Sequence, residues 1–226
     1  MTKEPAFDLI VQLIWLFQFN PLFQLHYAQH LHFKKKYSEA KEYYEKVILY
    51  DKSMFEAYYN LGDIYTRLNQ HQLAINMYKE VYDITKSYLK QYITEQELPE
   101  STIQKIKKNK SLLENALLFM AQIYLYKSQP NDAVKFLYER HVMLPHDLDT
   151  IRLIGICFFQ LSKWEQSNKF FNLYLERDPD HLRVIELNTI VLMNLNKKNE
   201  ARLLMKAYIK KHPRSKKAQQ ILKSIR

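Results

Sequence analysis

Glycine is nearly absent from this sequence, because Gly62 and Gly155 are the only two among 226 residues. Glycine accepts positive φ without steric cost, so tight hairpin turns and phosphate-binding loops depend on it. So few glycines exclude most sheet-rich folds. Isolated glycines also cannot form the dinucleotide-binding fingerprint or a P-loop. The composition therefore predicts a helical protein without a glycine-rich nucleotide loop.

Cysteine is equally scarce, since Cys157 is the only one in the chain. No disulfide can form within the molecule, which favours a reducing compartment. Cys157 lies in the apolar segment 154–159, where a thiol is expected to be buried and unreactive.

Long hydrophobic runs are missing as well. The apolar stretch over residues 6–19 has 14 residues and is interrupted by Asp8, Gln12 and Gln18. A membrane span needs about 20 apolar residues, and a secretory signal needs a basic start and an unbroken apolar run. We expect a helix of the mature protein here and a cytoplasmic location. Attachment to a membrane surface is the alternative, although interfacial helices usually carry a basic polar face, which this one lacks.

Positive charge is concentrated at one end of the chain. Residues 197–226 contain 11 Lys and Arg but a single acidic residue, Glu200, which accounts for the whole net charge of +10. Such a patch attracts nucleic acid, anionic membrane or acidic protein, although a solubilising end is an equal explanation. The predicted basic patch consists of Arg202, Lys206, Lys210, Lys211, Arg214, Lys216 and Lys217.

A repeat of 34 residues organises most of the chain. Pro145, Pro179 and Pro213 are spaced by this period, and it defines units that begin at Pro21, Phe55, Glu114, Leu148 and Leu182. One step is longer by the 25 residues 89–113. A fixed period of this length indicates stacked supersecondary units.

Four columns of the repeat keep their residue size. The eighth position is small, as Ala28, Gly62, Ala121, Gly155 and Thr189, and so is the twentieth, as Ala40, Ala74, Ala133, Ser167 and Ala201. Bulky residues fill the eleventh position, as Leu31, Tyr65, Tyr124, Phe158 and Leu192, and the twenty-fourth, as Tyr44, Tyr78, Leu137, Phe171 and Met205. Small and large residues at fixed offsets indicate closely packed helices.

This pattern resembles the tetratricopeptide repeat, a helix-turn-helix unit of 34 residues, over about residues 21–215. The segment 58–65 with Ala74, Tyr78 and Val81 is the closest unit. The resemblance implies an all-α, right-handed α-solenoid of about five repeats with a terminal capping helix at each end. Arg140 and Asn188 depart from the family pattern, because an apolar or small residue is usual at the first and leucine at the second.

The same reasoning divides the chain into five parts. They are an N-terminal apolar helix over 1–20, repeats 1–2 over 21–88, an insertion over 89–113, repeats 3–5 over 114–215 and a basic capping helix over 216–226. The insertion is predicted as a helical hairpin, since Ser101 and Gln104 form a capping box after Pro99. The N-terminal helix has three open roles: capping the array, lying in its groove or docking on a partner.

The resemblance also implies a binding groove along the first helix of each unit. Its candidate residues are Leu25, Gln29, Phe33, Tyr59, Asp63, Arg67, Leu118, Gln122, Tyr126, Arg152, Ile156, Phe159, Glu186, Ile190 and Met193. This surface is apolar with scattered charges and suits a helical or extended partner segment. The two-carboxylate clamp of some cochaperones is not expected, because only Asn60 matches it.

No catalytic pattern is present in the sequence. His26, His30 and His32 are close together, but the intervening residues do not form the HExxH motif of zinc proteases. We therefore expect no enzyme activity, no cofactor, no metal and no small-molecule substrate. The predicted function is a protein-protein interaction adaptor or assembly scaffold, within a larger complex or self-associating. The alternative is docking of the basic end on nucleic acid or an anionic membrane.

Overall fold

The structure is a computed structural model that describes residues 19–92 and 99–225. In this part of the chain every regular element is a helix, which confirms the all-α prediction. The helices are α1 Pro21–Phe33, α2 Tyr37–Tyr50, α3 Phe55–Arg67, α4 His71–Tyr92, α5 Glu100–Tyr126, α6 Pro130–Met143, α7 Leu148–Gln160, α8 Trp164–Leu175, α9 Leu182–Asn194, α10 Lys198–Lys211 and α11 Lys216–Ser224. The helix predicted over residues 1–20 lies outside the described residues except for its last two.

Helix boundaries follow the 34-residue register. Helices α1, α3, α7 and α9 begin at the first position of their units. The second helices begin at the seventeenth position in all five units, as Tyr37, His71, Pro130, Trp164 and Lys198. Pro130 suits a helix start, because its missing N–H has no intrahelical acceptor there.

The turn between the two helices of a unit repeats one backbone conformation. The fifteenth residue of every unit has a positive φ, as Lys35, Asn69, Ser128, Ser162 and Asn196, with φ between 54° and 61°. The next N–H then reaches back to the helix, as from Lys163 N to Phe158 O at 2.9 Å. This is the Schellman ending that glycine usually provides. The scarcity of glycine therefore does not remove left-handed turns from this chain, because other residues adopt them.

Both glycines lie directly beneath an aromatic ring of the second helix. A Cβ atom at Gly155 would lie 2.6 Å from Cε1 of Phe171, and one at Gly62 would lie 2.8 Å from Cε1 of Tyr78. The small eighth position and the bulky twenty-fourth position therefore meet within one unit. All five residues of the twenty-fourth column are fully buried. The two helices of each unit thus pack through a ring or long side chain placed against a small residue.

The chain divides into two compact units, residues 1–120 and 121–226. In the first, α1 packs on α2, α2 on α3 and α3 on α4. In the second, packing proceeds from α6 to α11 in chain order, and α9 also contacts α7 and α11. Ala218 and Ile225 join a buried cluster that includes Ile185, Leu192 and Met205. Helix α11 is therefore held by apolar contacts despite its basic outer face.

The helices that flank residues 93–98 are longer than the others. Helix α4 has 22 residues and α5 has 27, whereas the remaining helices have 9 to 14. Lys108 in the basic stretch of α5 pairs with Glu56 at 2.8 Å. This lysine is thus engaged within the first unit, and the predicted hairpin arrangement of residues 89–113 stays a prediction.

Two departures from the repeat pattern have direct structural explanations. Arg140 is buried, and its guanidinium donates to Asp147 and to Thr150 Oγ1. Buried Asn188 donates to Asn172 Oδ1 at 2.8 Å. Arg140 and the Nδ2 group of Asn188 therefore each have a polar partner on a neighbouring element, whereas Oδ1 of Asn188 has none.

Candidate functional site

The predicted groove residues differ widely in their exposure. Five are exposed, namely Phe33, Arg67, Gln122, Tyr126 and Ile190, and Leu25 and Glu186 are buried. The remaining eight are half-buried, namely Gln29, Tyr59, Asp63, Leu118, Arg152, Ile156, Phe159 and Met193. Half-buried apolar side chains on rigid helices can receive a partner with little loss of conformational entropy.

Within residues 1–120, the charged groove candidates pair with neighbouring side chains. Asp63 Oδ2 accepts from Arg67 Nε at 2.7 Å and lies 2.9 Å from His32 Nε2. Burial favours a higher pKa for the Asp63 carboxyl, but the hydrogen bonds from His32 and Arg67 outweigh it and hold the pKa below its usual value. The Arg67 guanidinium also lies 5.7 Å from the ring centre of Tyr37. These charges are therefore compensated internally.

Tyr59 belongs to an aromatic cluster within residues 1–120. Its ring centroid lies 6.0 Å from that of Tyr78 and 6.3 Å from that of Phe119, and Tyr78 stacks on Phe119 at 5.6 Å. Burial raises the pKa of the Tyr78 hydroxyl. Phe119 occupies a position where a carboxylate clamp would carry a basic residue, so this surface is aromatic instead.

Within residues 121–226, three groove candidates line one hollow. Arg152, Ile156 and Phe159 follow each other along α7 at helical spacing and border a cavity of about 250 Å³. The Phe159 ring is fixed by an edge contact with Trp164 at 5.6 Å. The hollow therefore combines an apolar wall with a guanidinium at one end.

The opposite wall of this hollow comes from residues that the sequence analysis missed. Arg183, Val184 and Leu187 of α9 line it, together with Gln160. The predicted residues of α9 were Glu186, Ile190 and Met193, which lie on an adjacent stripe of the same helix. The spacing of Arg183 and Leu187 at i and i+4 was a usable signal, but only the packing of α9 beside α7 selects that stripe.

Ion pairs surround the hollow. Arg152 donates to Asp149 at 2.8 Å, and Arg183 lies 3.4 Å from Glu186. Lys217 of the C-terminal helix approaches the same Glu186 at 2.7 Å. The structure thus connects a predicted groove residue, Glu186, with a residue of the predicted basic patch.

The basic patch is only partly available to solvent ions. Arg202 donates to the carbonyl of Ile225 at 2.9 and 3.2 Å, and Lys211 pairs with Asp180 at 3.0 Å. With Lys217 on Glu186, three of the seven predicted residues have internal partners. Lys206, Lys210, Arg214 and Lys216 are exposed and form no ion pair with the described residues.

Reactive and metal-binding groups do not assemble into a site. His32 pairs with Asp63, whereas His26 and His30 are exposed on α1. Among the described residues no three His, Cys, Asp or Glu side chains are placed to hold a metal ion. Cys157 is buried as predicted, and burial raises the pKa of its thiol to about 12.

No helix within residues 19–92 and 99–225 has the length and apolar character needed to cross a bilayer.

Comparison with known families identifies the repeat. Residues 24–54 and 55–88 match the tetratricopeptide repeat family, and the second match begins at the first residue of α3. Residues 24–88 carry two tetratricopeptide repeats. The resemblance seen in the sequence is therefore confirmed, and these repeats are a protein-interaction fold. No curated protein sequence matches the chain.

Solved tetratricopeptide repeat structures share the fold over most of the chain. YrrB, described as a tetratricopeptide repeat protein with an unusual peptide-binding site, is 15% identical with a TM-score of 0.71, covering 94% of this chain and 97% of that one. MamA is 12% identical with a TM-score of 0.66, covering 85% and 92%. MamA from Desulfovibrio magneticus RS-1, residue 41 to the end, is 13% identical with a TM-score of 0.63, covering 87% and 97%. At such low identity these structures establish the α-solenoid fold alone.

Proposed function

We propose that the protein is a non-enzymatic adaptor or assembly scaffold that binds a helical or extended segment of a partner protein. The segment would lie along the first helices of the tetratricopeptide repeats, in an apolar groove, and the protein would act within a larger complex. The observation that carries this proposal is the hollow between α7 and α9, where Ile156, Phe159 and Leu187 offer apolar surface beside two arginines.

The physical basis is a rigid surface that keeps bulky side chains half-exposed. Phe159 is fixed by Trp164, and Tyr59 is fixed by Tyr78 and Phe119, so neither ring must be ordered when a partner binds. Aromatic and arginine side chains are the residues that most often dominate binding energy at protein interfaces. The fold itself accommodates peptide ligands, since YrrB is described as having a peptide-binding site.

The direct test is affinity purification from the native extract with the wild-type chain and with the double variant Tyr59→Ala/Phe159→Ala. Proteins that bind through the groove are expected on the wild type and depleted at least several-fold on the variant. Truncation of a hot-spot aromatic typically costs 2 kcal/mol or more, which is about thirtyfold in affinity.

Tyr138→Ala provides the matched control. Tyr138 is a partly exposed aromatic residue of α6 that packs on Phe158 and Phe170 and does not line the hollow. Tyr138→Ala should retain the wild-type partners, even though it removes packing contacts and lowers the melting temperature. The proposal is wrong if the double variant, still folded, recovers the same proteins as the wild type.

The basic end supports a second candidate, namely docking on nucleic acid or an anionic membrane. Four cations of the patch have no ion pair with the described residues, and Arg214 borders an open hollow with Tyr208 and His212. The quadruple change of Lys206, Lys210, Arg214 and Lys216 to Gln should lower the salt concentration that elutes the protein from heparin. If this variant also loses the partners found above, the basic end and not the groove carries the function.

A further inference from the structure

The hollow between α7 and α9 has the size of one side chain. Its volume is about 250 Å³, below the 300 to 1,000 Å³ that is common for small-molecule sites. Apolar walls come from Ile156, Phe159, Val184 and Leu187. The chemistry of this hollow therefore fits one bulky apolar side chain better than a free metabolite.

Positive charge borders the apolar floor. The guanidinium groups of Arg152 and Arg183 both line the hollow, one from each helix. The ion pairs there join three cations, Arg152, Arg183 and Lys217, to only two carboxylates, Asp149 and Glu186. Cations therefore outnumber carboxylates by one in the ion pairs beside the hollow, because Lys217, which lies outside it, shares Glu186 with Arg183.

Lys217 and Arg183 both approach the carboxylate of Glu186. Glu186 is almost fully buried, with its side chain 6% exposed, and Lys217 approaches it at 2.7 Å. Arg183 approaches the same carboxylate only at 3.4 Å, and its side chain is 68% exposed. Arg183 donates one hydrogen bond, from Nη1 to Glu186 Oε2, and its exposed guanidinium retains further donors for a second carboxylate.

Helix geometry sets the distance between charge and apolar floor. Arg152 and Ile156 are four residues apart, which corresponds to about 6 Å along the axis of α7. In an extended segment, residues i and i+2 point to the same side and are about 7 Å apart. An acidic residue two positions from a bulky apolar residue would therefore reach the arginines while the apolar side chain enters the hollow.

We propose that this hollow binds an acidic-apolar motif of a partner protein: one bulky apolar side chain in the cavity and an Asp or Glu side chain, two residues away, on Arg152 and Arg183. The acidic group belongs to a side chain and not to a chain terminus. Exposed Ile190 and half-buried Met193 follow the hollow residues along α9 and offer further apolar contacts to a longer segment. This inference rests on the proposed function and specifies its partner chemistry.

Fluorescence anisotropy with end-blocked, labelled peptides tests the proposal. The probe contains Glu-Ala-Phe-Ala-Glu, which presents the acidic group in either chain direction. Replacing both Glu by Gln should raise Kd about tenfold, because charge-assisted hydrogen bonds are roughly twice as strong as neutral ones. Replacing Phe by Ala should raise it by a similar factor.

Protein variants assign that selectivity to named side chains. Arg183→Gln and Arg152→Gln should each reduce the preference for Glu over Gln, to about twofold or less in the double variant. Lys217→Gln, outside the hollow, should weaken the acidic peptide alone, because Glu186 then competes for Arg183. Arg177→Gln is the matched control, since Arg177 donates to the Leu173 carbonyl away from the hollow and should leave Kd unchanged.

Three results would overturn the inference. The first is equal binding of the Glu and Gln peptides, and the second is no binding of either at millimolar concentration. The third is a preference that follows the free C-terminal carboxylate of a peptide ending in Gln-Ala-Phe. Proteins whose recovery in affinity purification depends on Tyr59 and Phe159 would still support the proposed function. Failure of this inference is therefore distinguishable from failure of the proposed function.

Discussion

At the scale of single residues, Gly155 is constrained by the ring above it. The Cβ of an alanine there would lie 2.6 Å from Cε1 and 2.7 Å from Cδ1 of Phe171, closer than carbon atoms can pack. Gly155→Ala should therefore destabilise the protein by about 1–3 kcal/mol, the cost of overpacking a core. Urea denaturation followed by circular dichroism measures this loss.

The ring itself is the control for that experiment. In a Phe171→Leu background the same Gly155→Ala change should cost clearly less, because leucine lacks Cε1 and Cζ of the ring and its shorter side chain can adjust. An equal cost in both backgrounds would show that helix-helix contact at this position is not the cause.

The left-handed turn residues allow the opposite prediction, a stabilising change. Ser162 has φ of 54°, and its backbone N–H donates to the carbonyl of Phe159 at 3.0 Å. A left-handed conformation costs a residue with a Cβ about 1–2 kcal/mol, which glycine avoids, while its larger unfolded-state entropy returns part of that gain. Ser162→Gly should stabilise the protein by about 0.5–1 kcal/mol in the same denaturation assay.

Ser111→Gly is the matched control, because Ser111 is exposed within α5. Glycine inside a helix should destabilise the protein by about 0.5 kcal/mol or more. A loss of stability at both positions would contradict the assigned turn conformation.

These positions also show what single residues reveal before a structure is known. The size columns predicted that Gly62 and Gly155 lie where helices approach closely, and the structure confirms it. The sequence pattern placed Tyr78 and Phe171 in one column of bulky residues. It did not predict that their rings contact Gly62 and Gly155. The turn conformation at Lys35 was not predicted, since lysine carries no preference for positive φ, and only the helix endings impose it.

At the scale of elements, one half-buried ion pair, Arg140 with Asp147, joins α6 to the start of α7. Asp147 caps α7 by accepting from Thr150 N at 2.8 Å and also accepts from buried Arg140. Asp147→Ala removes the capping oxygen of α7 and the carboxylate partner of Arg140, so it should destabilise the protein by about 1–3 kcal/mol. The double variant Arg140→Leu/Asp147→Ser removes the charge and keeps a capping hydroxyl, and it should recover most of the loss.

The same carboxylate makes stability depend on pH. Burial favours a higher pKa for Asp147, but hydrogen bonds from Arg140 and Thr150 prevail and lower it. Because the folded pKa is below the unfolded value of about 4, the contribution is complete above that value and is lost as pH falls through the folded pKa. Melting temperature between pH 7 and pH 2 should fall less steeply for Arg140→Leu/Asp147→Ser than for the wild type. Parallel curves would contradict a lowered pKa.

Element boundaries were partly predictable, whereas the orientation of helix faces was not. The 34-residue period predicted where α1, α3, α7 and α9 begin, whereas the starts of the second helices were not predicted. The face of α9 was predicted through Glu186 and Ile190, but Arg183 and Leu187 line the hollow. The sequence pattern identifies an apolar helix, and only its packing beside α7 decides which stripe remains accessible. Arg140 was recognised as unusual, but its partner Asp147 lies across a turn that the period does not describe.

At the scale of the whole molecule, the charge distribution and the repeats define two separate candidate binding surfaces. The net charge of +10 comes entirely from residues 197–226, and three residues of the patch there are paired internally. The apolar hollow lies on α7 and α9, with Lys217 as the residue that connects it to the basic end. The central claim is that the hollow receives another protein.

Site-specific photocrosslinking in the native cell tests this claim most directly. A benzophenone amino acid is placed at Phe159, inside the hollow, or at Tyr138, which packs outside it on α6. The account predicts covalent adducts with one or a few other proteins from position 159 and none of those adducts from position 138. Adducts only at position 138, or adducts at position 159 that join only two copies of this chain, would contradict it.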